Sequence, residues 1–162
     1  MTGRLGPKTD LVRGTLVAAL LAAGGIHLWL TPEHFEESPI VGTGFLAAGI
    51  LQLLLAVALL YRPSRLALLA VGVSSAGLIA AYGVAVAVGL PFASQAAGGM
   101  EEGLRLGAGE PVTLLAIIAK AIELGSIVLA MMLLGRLNSA QGRRATLRGL
   151  GLRRNHGREA RH

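Results

Sequence analysis

Long apolar runs separated by short polar stretches dominate this chain, and their lengths decide what they can be. A helix rises 1.5 Å per residue, so crossing a hydrocarbon core of about 30 Å takes about 20 mainly apolar residues. Four segments qualify: 14–30, 42–61, 66–88 and 112–134. They predict an all-α fold, a four-helix transmembrane bundle. Proline marks the boundaries. Pro32 follows the first run, Pro63 sits in the turn Arg62-Pro63-Ser64-Arg65, and Pro91 follows the third. Pro111 precedes the fourth, where a missing N–H costs nothing at a helix start.

Composition agrees with the runs. Apolar residues make up 53% of the 162 residues and glycine adds 23 more. Together they reach roughly two-thirds, against about 45–50% for soluble domains. Charged residues are 15%, and mean hydropathy is +0.63. Neither a soluble domain, a disordered chain nor a coiled coil fits these values. With no cysteine, disulfides, thiolate metal sites, iron–sulfur clusters and cysteine nucleophiles are ruled out.

Charge then orients the runs. Thirteen of the fifteen cations fall on one side. They are Arg4, Lys8 and Arg13 in the N-terminal segment, Arg62 and Arg65 in the turn, and eight arginines from Arg136 to Arg161. The opposite loops hold only Arg105, and Lys120 lies inside the fourth run. Cytoplasmic loops carry such an excess, so the expected orientation is N-in/C-in in a bacterial cytoplasmic (inner) membrane. The expected organisation is a cytoplasmic N-terminal segment (1–13), a transmembrane domain (14–135) and a basic cytoplasmic tail (136–162). The tail has almost no apolar residues after Leu152 and is expected to be disordered in water. Such clusters attract anionic lipid. Arginine outnumbers lysine 13 to 2, a bias that a GC-rich genome also produces, and no specific nucleic-acid partner is expected. The first run also admits a signal-peptide reading, with basic residues before it and Ala22-Ala23-Gly24 within it. Its continuation through Trp29, an interfacial anchor, favours a span.

In lipid, helices approach closely where small residues let backbones meet. The third run carries Ala70, Ser74, Gly77, Ala81, Ala85 and Gly89 at steps of three and four, and the first carries Gly14, Ala18, Ala22 and Gly25. The second offers Gly44 and Ala48. These stripes predict the packing faces within the bundle or of a homo-oligomer or membrane complex.

Polar side chains at depth are the candidate chemistry, because an unpaired polar group costs several kcal/mol in an apolar setting. Counting 1.5 Å per residue from the helix ends places Lys120 roughly 12 Å deep, Glu123 roughly 16 Å, Gln52 about 15 Å and Tyr82 about 9 Å. Lys120 and Glu123, three apart, share a helix face and are expected to pair. Gln52, Tyr82, Lys120 and Glu123 form the candidate buried polar centre, with His27 as a further contributor. It reads either as structural or as a protonatable centre of the kind that proton-coupled transport or redox-linked carriers require. A second constellation, His27, Glu33 and His34, sets imidazoles beside carboxylate at the outer boundary. These are the ligands available for zinc or copper. Thr31 is a candidate cap for a short interfacial helix through Pro32, Glu33 and Glu36. Bis-histidine haem needs two intramembrane histidines, and only His27 lies in a run. No catalytic motif is present, so the sequence points away from an enzyme and names no cofactor.

The stretches Gly25-Ile26-His27-Leu28, Pro32-Glu33-His34-Phe35 and Gly89-Leu90-Pro91-Phe92 resemble a set of uncharacterised small four-helix integral membrane proteins of GC-rich bacteria, over about the first two-thirds of the chain. In overall shape the chain is also similar to the DoxX-like group. The resemblance implies membrane location and a four-helix fold. The expected role is a non-enzymatic accessory or structural membrane component. The alternatives are a small proton-coupled transporter or redox-linked carrier, and an outer-face metal or haem protein.

Overall fold

The computed structural model describes residues 7–89 and 112–159, with side chains through 139. Four helices follow in chain order: α1 (Pro7–Glu37), α2 (Pro39–Tyr61), α3 (Arg65–Val88) and α4 (Leu114–Glu159). Each is long and apolar enough to cross a membrane, α4 through its part Leu114–Ser139. The protein is therefore a multi-pass membrane protein in contact with the lipid bilayer. Helices suit that solvent because every backbone N–H and C=O is satisfied within the segment.

Helix starts follow local chemistry. Ser64 caps α3, its side chain accepting from the Ala67 N–H at 3.1 Å. Thr113 does the same for α4 through the Ala116 N–H at 3.2 Å. Pro39 opens α2 at its first turn, where its missing N–H is harmless. Gly89 ends α3 with φ 78°, a left-handed conformation that glycine adopts without strain.

Four boundary expectations change, beginning with α1, which starts at Pro7, seven residues before its expected span. Pro32 does not end the first span: α1 runs through it to Glu37. The Thr31 hydroxyl donates back to the His27 carbonyl at 2.8 Å instead of capping a new helix. One lost donor near a helix end is tolerated, the helix continues to Glu37, and just past its end the Ser38 N–H still donates to the His34 carbonyl at 2.9 Å. The fourth helix starts at Leu114 rather than at Val112; Pro91, Pro111 and the residues between them lie outside the described residues. The far end of α4 differs as well. The segment expected to be disordered is helical to Glu159. A lack of apolar residues argues against a core and not against a helix. Once the span has nucleated the helix, arginine, leucine, alanine and glutamine extend it readily.

The helices form a closed ring in which each packs on its sequence neighbours and α4 returns to α1; among the described residues no diagonal pair packs. The α1–α2 contact is the most extensive and α2–α3 the least. Single-residue Ser38 joins α1 to α2, which makes them antiparallel. The shared cluster of Leu68 with Ala130 and Leu133 does the same for α3 and α4. One end of the bundle is basic. There Arg136 Nη1 donates to the Lys8 carbonyl at 2.8 Å, tying α4 to the start of α1. The other end carries Glu33, Glu36 and Glu37. Trp29 and Tyr61, both strongly exposed, lie toward opposite ends, where aromatic side chains anchor at membrane interfaces.

Packing does not follow the small-residue stripes. Gly14, Ala18, Ala22, Gly25, Gly44, Gly77 and Ala81 are all exposed, and Ala70 and Ser74 are half-buried. Only Ala48 and Ala85 of those series are buried. The close approach is made instead by Gly24 on α1 and Gly49 on α2. A Cβ on either would sit 3.1 Å from the carbonyl oxygen of the other. The buried face of α3 is set by Leu68, Val71 and Ser75, displaced around the helix from the stripe. Small residues permit contact, but larger side chains filling the interior decide which face turns in.

Candidate functional site

The inward positions of α4 are Ala119, Glu123, Ser126, Ala130 and Leu133, at alternating steps of four and three. This 3.5-residue period keeps one seam facing the bundle centre. The half toward the basic end is filled by aliphatic side chains: Leu16, Val17, Leu20, Leu55, Leu59, Leu68, Val71, Ala130 and Leu133. Stepping toward the acidic end, the next inward positions are Gln52, Ser75 and Ser126, and then His27 and Glu123. The interior therefore changes from aliphatic to polar within about one helical turn, which is 5.4 Å of rise.

Glu123 is the centre of the polar half. Its side chain has 0% exposure. Lys120 Nζ donates to Oε2 at 2.7 Å, so the pair expected from the i, i+3 spacing is formed. Lys120 keeps 19% of its side chain exposed and is the member that reaches the bundle surface. Its Nζ also lies 5.5 Å from the centroid of the Tyr82 ring on α3, within range of a cation–π attraction. On the other side of Glu123, His27 Nε2 of α1 approaches Oε1 at 3.5 Å. The opposite imidazole nitrogen, Nδ1, bonds the Ala23 carbonyl at 2.9 Å.

The structure thus brings Lys120, Glu123 and Tyr82 together and adds His27. Gln52 is buried, but among the described residues neither its Nε2 nor its Oε1 finds a hydrogen-bond partner. The Ser75 hydroxyl and Glu123 Oε1 are in the same position. Ser126 is buried and donates to the Ile122 carbonyl at 2.9 Å. Sequence reading missed Ser75 and Ser126. The inward register of α3 and α4 places a serine one step inside the Glu123 level on each helix, and that register emerges only from the assembled bundle.

The outer constellation is not assembled. His27 faces Glu123 across the bundle, while Glu33 is exposed. The His34 ring stacks on Phe45 of α2, centroids 3.7 Å apart, and its Nδ1 bonds the Leu30 carbonyl at 2.9 Å. Among the described residues no group of three or more His, Cys, Asp or Glu side chains is placed to hold a metal ion. His27 and His34 lie on nearly the same face of α1, two turns and about 10 Å apart along its axis, so His27 sits at the level of Glu123 while His34 packs nearer the acidic end. His156 and His162 lie outside the described side chains.

No protein-family model, curated protein or solved structure matches the chain. The four-helix, four-span architecture implied by the sequence resemblance stands on the structure itself.

Proposed function

We propose that the protein is a non-enzymatic membrane component, a structural or accessory subunit, whose His27–Glu123–Lys120 cluster fastens α1 to α4 inside the bilayer. The observation that carries this reading is the burial of Glu123. Its carboxylate is wholly enclosed, held by a lysine of its own helix and approached by a histidine of another. A carboxylate so placed fixes the rotation of α4 relative to α1, because any other rotation would leave charge facing lipid. The strong cation asymmetry supports the N-in/C-in orientation in a bacterial cytoplasmic membrane, and the arginine-rich end of α4 supports contact with anionic headgroups.

The unpaired amide of Gln52 and hydroxyl of Ser75 favour a second reading, a small proton-coupled carrier, because unsatisfied polar groups in the interior are suited to transient guests. Against it stands the closure of Glu123 by Lys120. The deciding experiment compares Glu123→Gln with the double variant Lys120→Met/Glu123→Gln in detergent-purified protein and in proteoliposomes. The accessory reading predicts that the double variant folds nearly as well as the wild type, since both charges leave together. A folded double variant that loses a proton or ion flux measurable with the wild type overturns it.

A further inference from the structure

The histidine of the cluster is constrained by its neighbours in a way that bears on what the site binds. His27 Nδ1 lies 2.9 Å from the Ala23 carbonyl. A carbonyl oxygen only accepts, so Nδ1 carries the hydrogen. In a neutral ring Nε2 then presents a bare lone pair, and it faces Glu123 Oε1 at 3.5 Å. An ionised carboxylate also presents only lone pairs there. Two acceptors would oppose each other in a site where His27 and Glu123 are both buried. A water cannot mediate between them, because two ordinary hydrogen bonds would hold the two atoms roughly 4.5–5.5 Å apart. The contact becomes attractive when one proton is placed on this axis.

We propose that the His27–Glu123–Lys120 cluster is a proton-binding site, taking one proton between His27 Nε2 and Glu123 Oε1 in addition to the protons already on Lys120 and on His27 Nδ1. The proton comes from the aqueous phase. It forms an N–H bond at Nε2 or an O–H bond at Oε1, no other covalent bond breaks, and nothing is oxidised or reduced. In either form the lone-pair opposition is replaced by a hydrogen bond between α1 and α4. The surroundings of the site contain few competitors. Lys120 on α4 already donates to Oε2, the other oxygen of the same carboxylate. Tyr82 is the titratable side chain facing from α3, with its ring toward Lys120 Nζ. From α2 the polar residue at this depth is Gln52, which does not titrate, and Phe45, whose ring lies 5.5 Å from that of His27. On α1, His34 stacks on the far side of the site against Phe45. The one side chain of the cluster that reaches the bundle surface is that of Lys120. The inference rests on this geometry alone and holds whether the protein is an accessory subunit or a carrier.

Nitrogen-15 NMR of histidine-labelled protein in lipid bilayers tests it directly, because the two ring nitrogens report their protons separately. His27 is assigned by the signal lost in His27→Gln. Nδ1 is expected to carry its hydrogen in every state of the site. An additional proton is expected to appear at Nε2, or at Glu123 as a protonated-carboxyl C=O band in infrared difference spectra. In Glu123→Gln, whose amide can donate to a bare Nε2, the added proton is expected to be absent. The wild-type protein alone decides the tautomer, so the test survives a variant that fails to fold. An Nε2–H neutral tautomer overturns the proposal. So does a wild-type site with a proton on neither Nε2 nor Glu123, or an Nε2 proton retained in a folded Glu123→Gln protein.

Discussion

The two halves of the bundle are built from the same helices but hold together by different means. Toward the basic end, Leu16, Leu20, Leu55, Leu59, Val71 and Leu133 meet in a dry aliphatic cluster. Toward the acidic end, the same inward seams present His27, Gln52, Ser75, Ser126 and Glu123. In a bilayer the aliphatic half gains little from burial as such, because lipid is as apolar as leucine, so its stabilisation comes from close packing. The polar half is held by the opposite logic. Its groups are expensive to expose to lipid, so they direct the rotation of each helix even where individual hydrogen bonds are unmade. The difference teaches that packing supplies cohesion in one half while polarity supplies register in the other.

Substitutions that cross this division sharpen it. The largest effect is expected from Glu123→Leu, which leaves the Lys120 ammonium without its carboxylate and His27 without its neighbour. Breaking a buried charge pair from one side costs about 3–5 kcal/mol, reduced here because Lys120 is partly exposed. Reversible unfolding in mixed micelles measures it, and a loss below that of any aliphatic truncation would break the comparison. Leu59→Ala, in the dry half, is expected to cost about 2 kcal/mol through lost packing contacts and a residual cavity. Here a value near zero would mean that the aliphatic cluster is loosely packed. The smallest effect, and one of opposite sign, is expected from Gln52→Leu. Replacing an unpaired buried amide by an apolar side chain of similar size stabilises by about 1 kcal/mol. Destabilisation by that change would show that the Gln52 amide is satisfied in the membrane.

Much of the fold was legible in the sequence because its physical signals are strong. Span length and the basic Arg62–Arg65 turn located four helices, α2 and α3 to within a few residues, whereas α1 and α4 run well beyond their expected spans; the i, i+3 spacing of Lys120 and Glu123 announced their pair. The partner on another helix was harder. His27 read equally as a member of the polar centre and as a metal ligand with Glu33 and His34, since spacing along one helix cannot say what stands across from it. The small-residue stripes did not mark the packing faces within the bundle, for a related reason. Gly77 and Ala81 permit close approach, but the inward rotation of α3 is fixed by Leu68, Val71 and Ser75, whose demands appear only when four helices are assembled. The Gly24–Gly49 contact joins one residue from each of two helices, so neither sequence segment displays it alone. At the far end of α4, charge and the lack of a core obscured the readiness of arginine and leucine to continue a helix.

The central claim is that His27 and Glu123 act on each other across the α1–α4 contact. A double-mutant cycle of His27→Leu and Glu123→Gln, read as unfolding free energy in bilayer-like bicelles, isolates that interaction from the effect of either residue alone. The account predicts a coupling of about 1 kcal/mol or more, the upper range for polar contacts between membrane helices. Additive losses, with no coupling between the two positions, would contradict it.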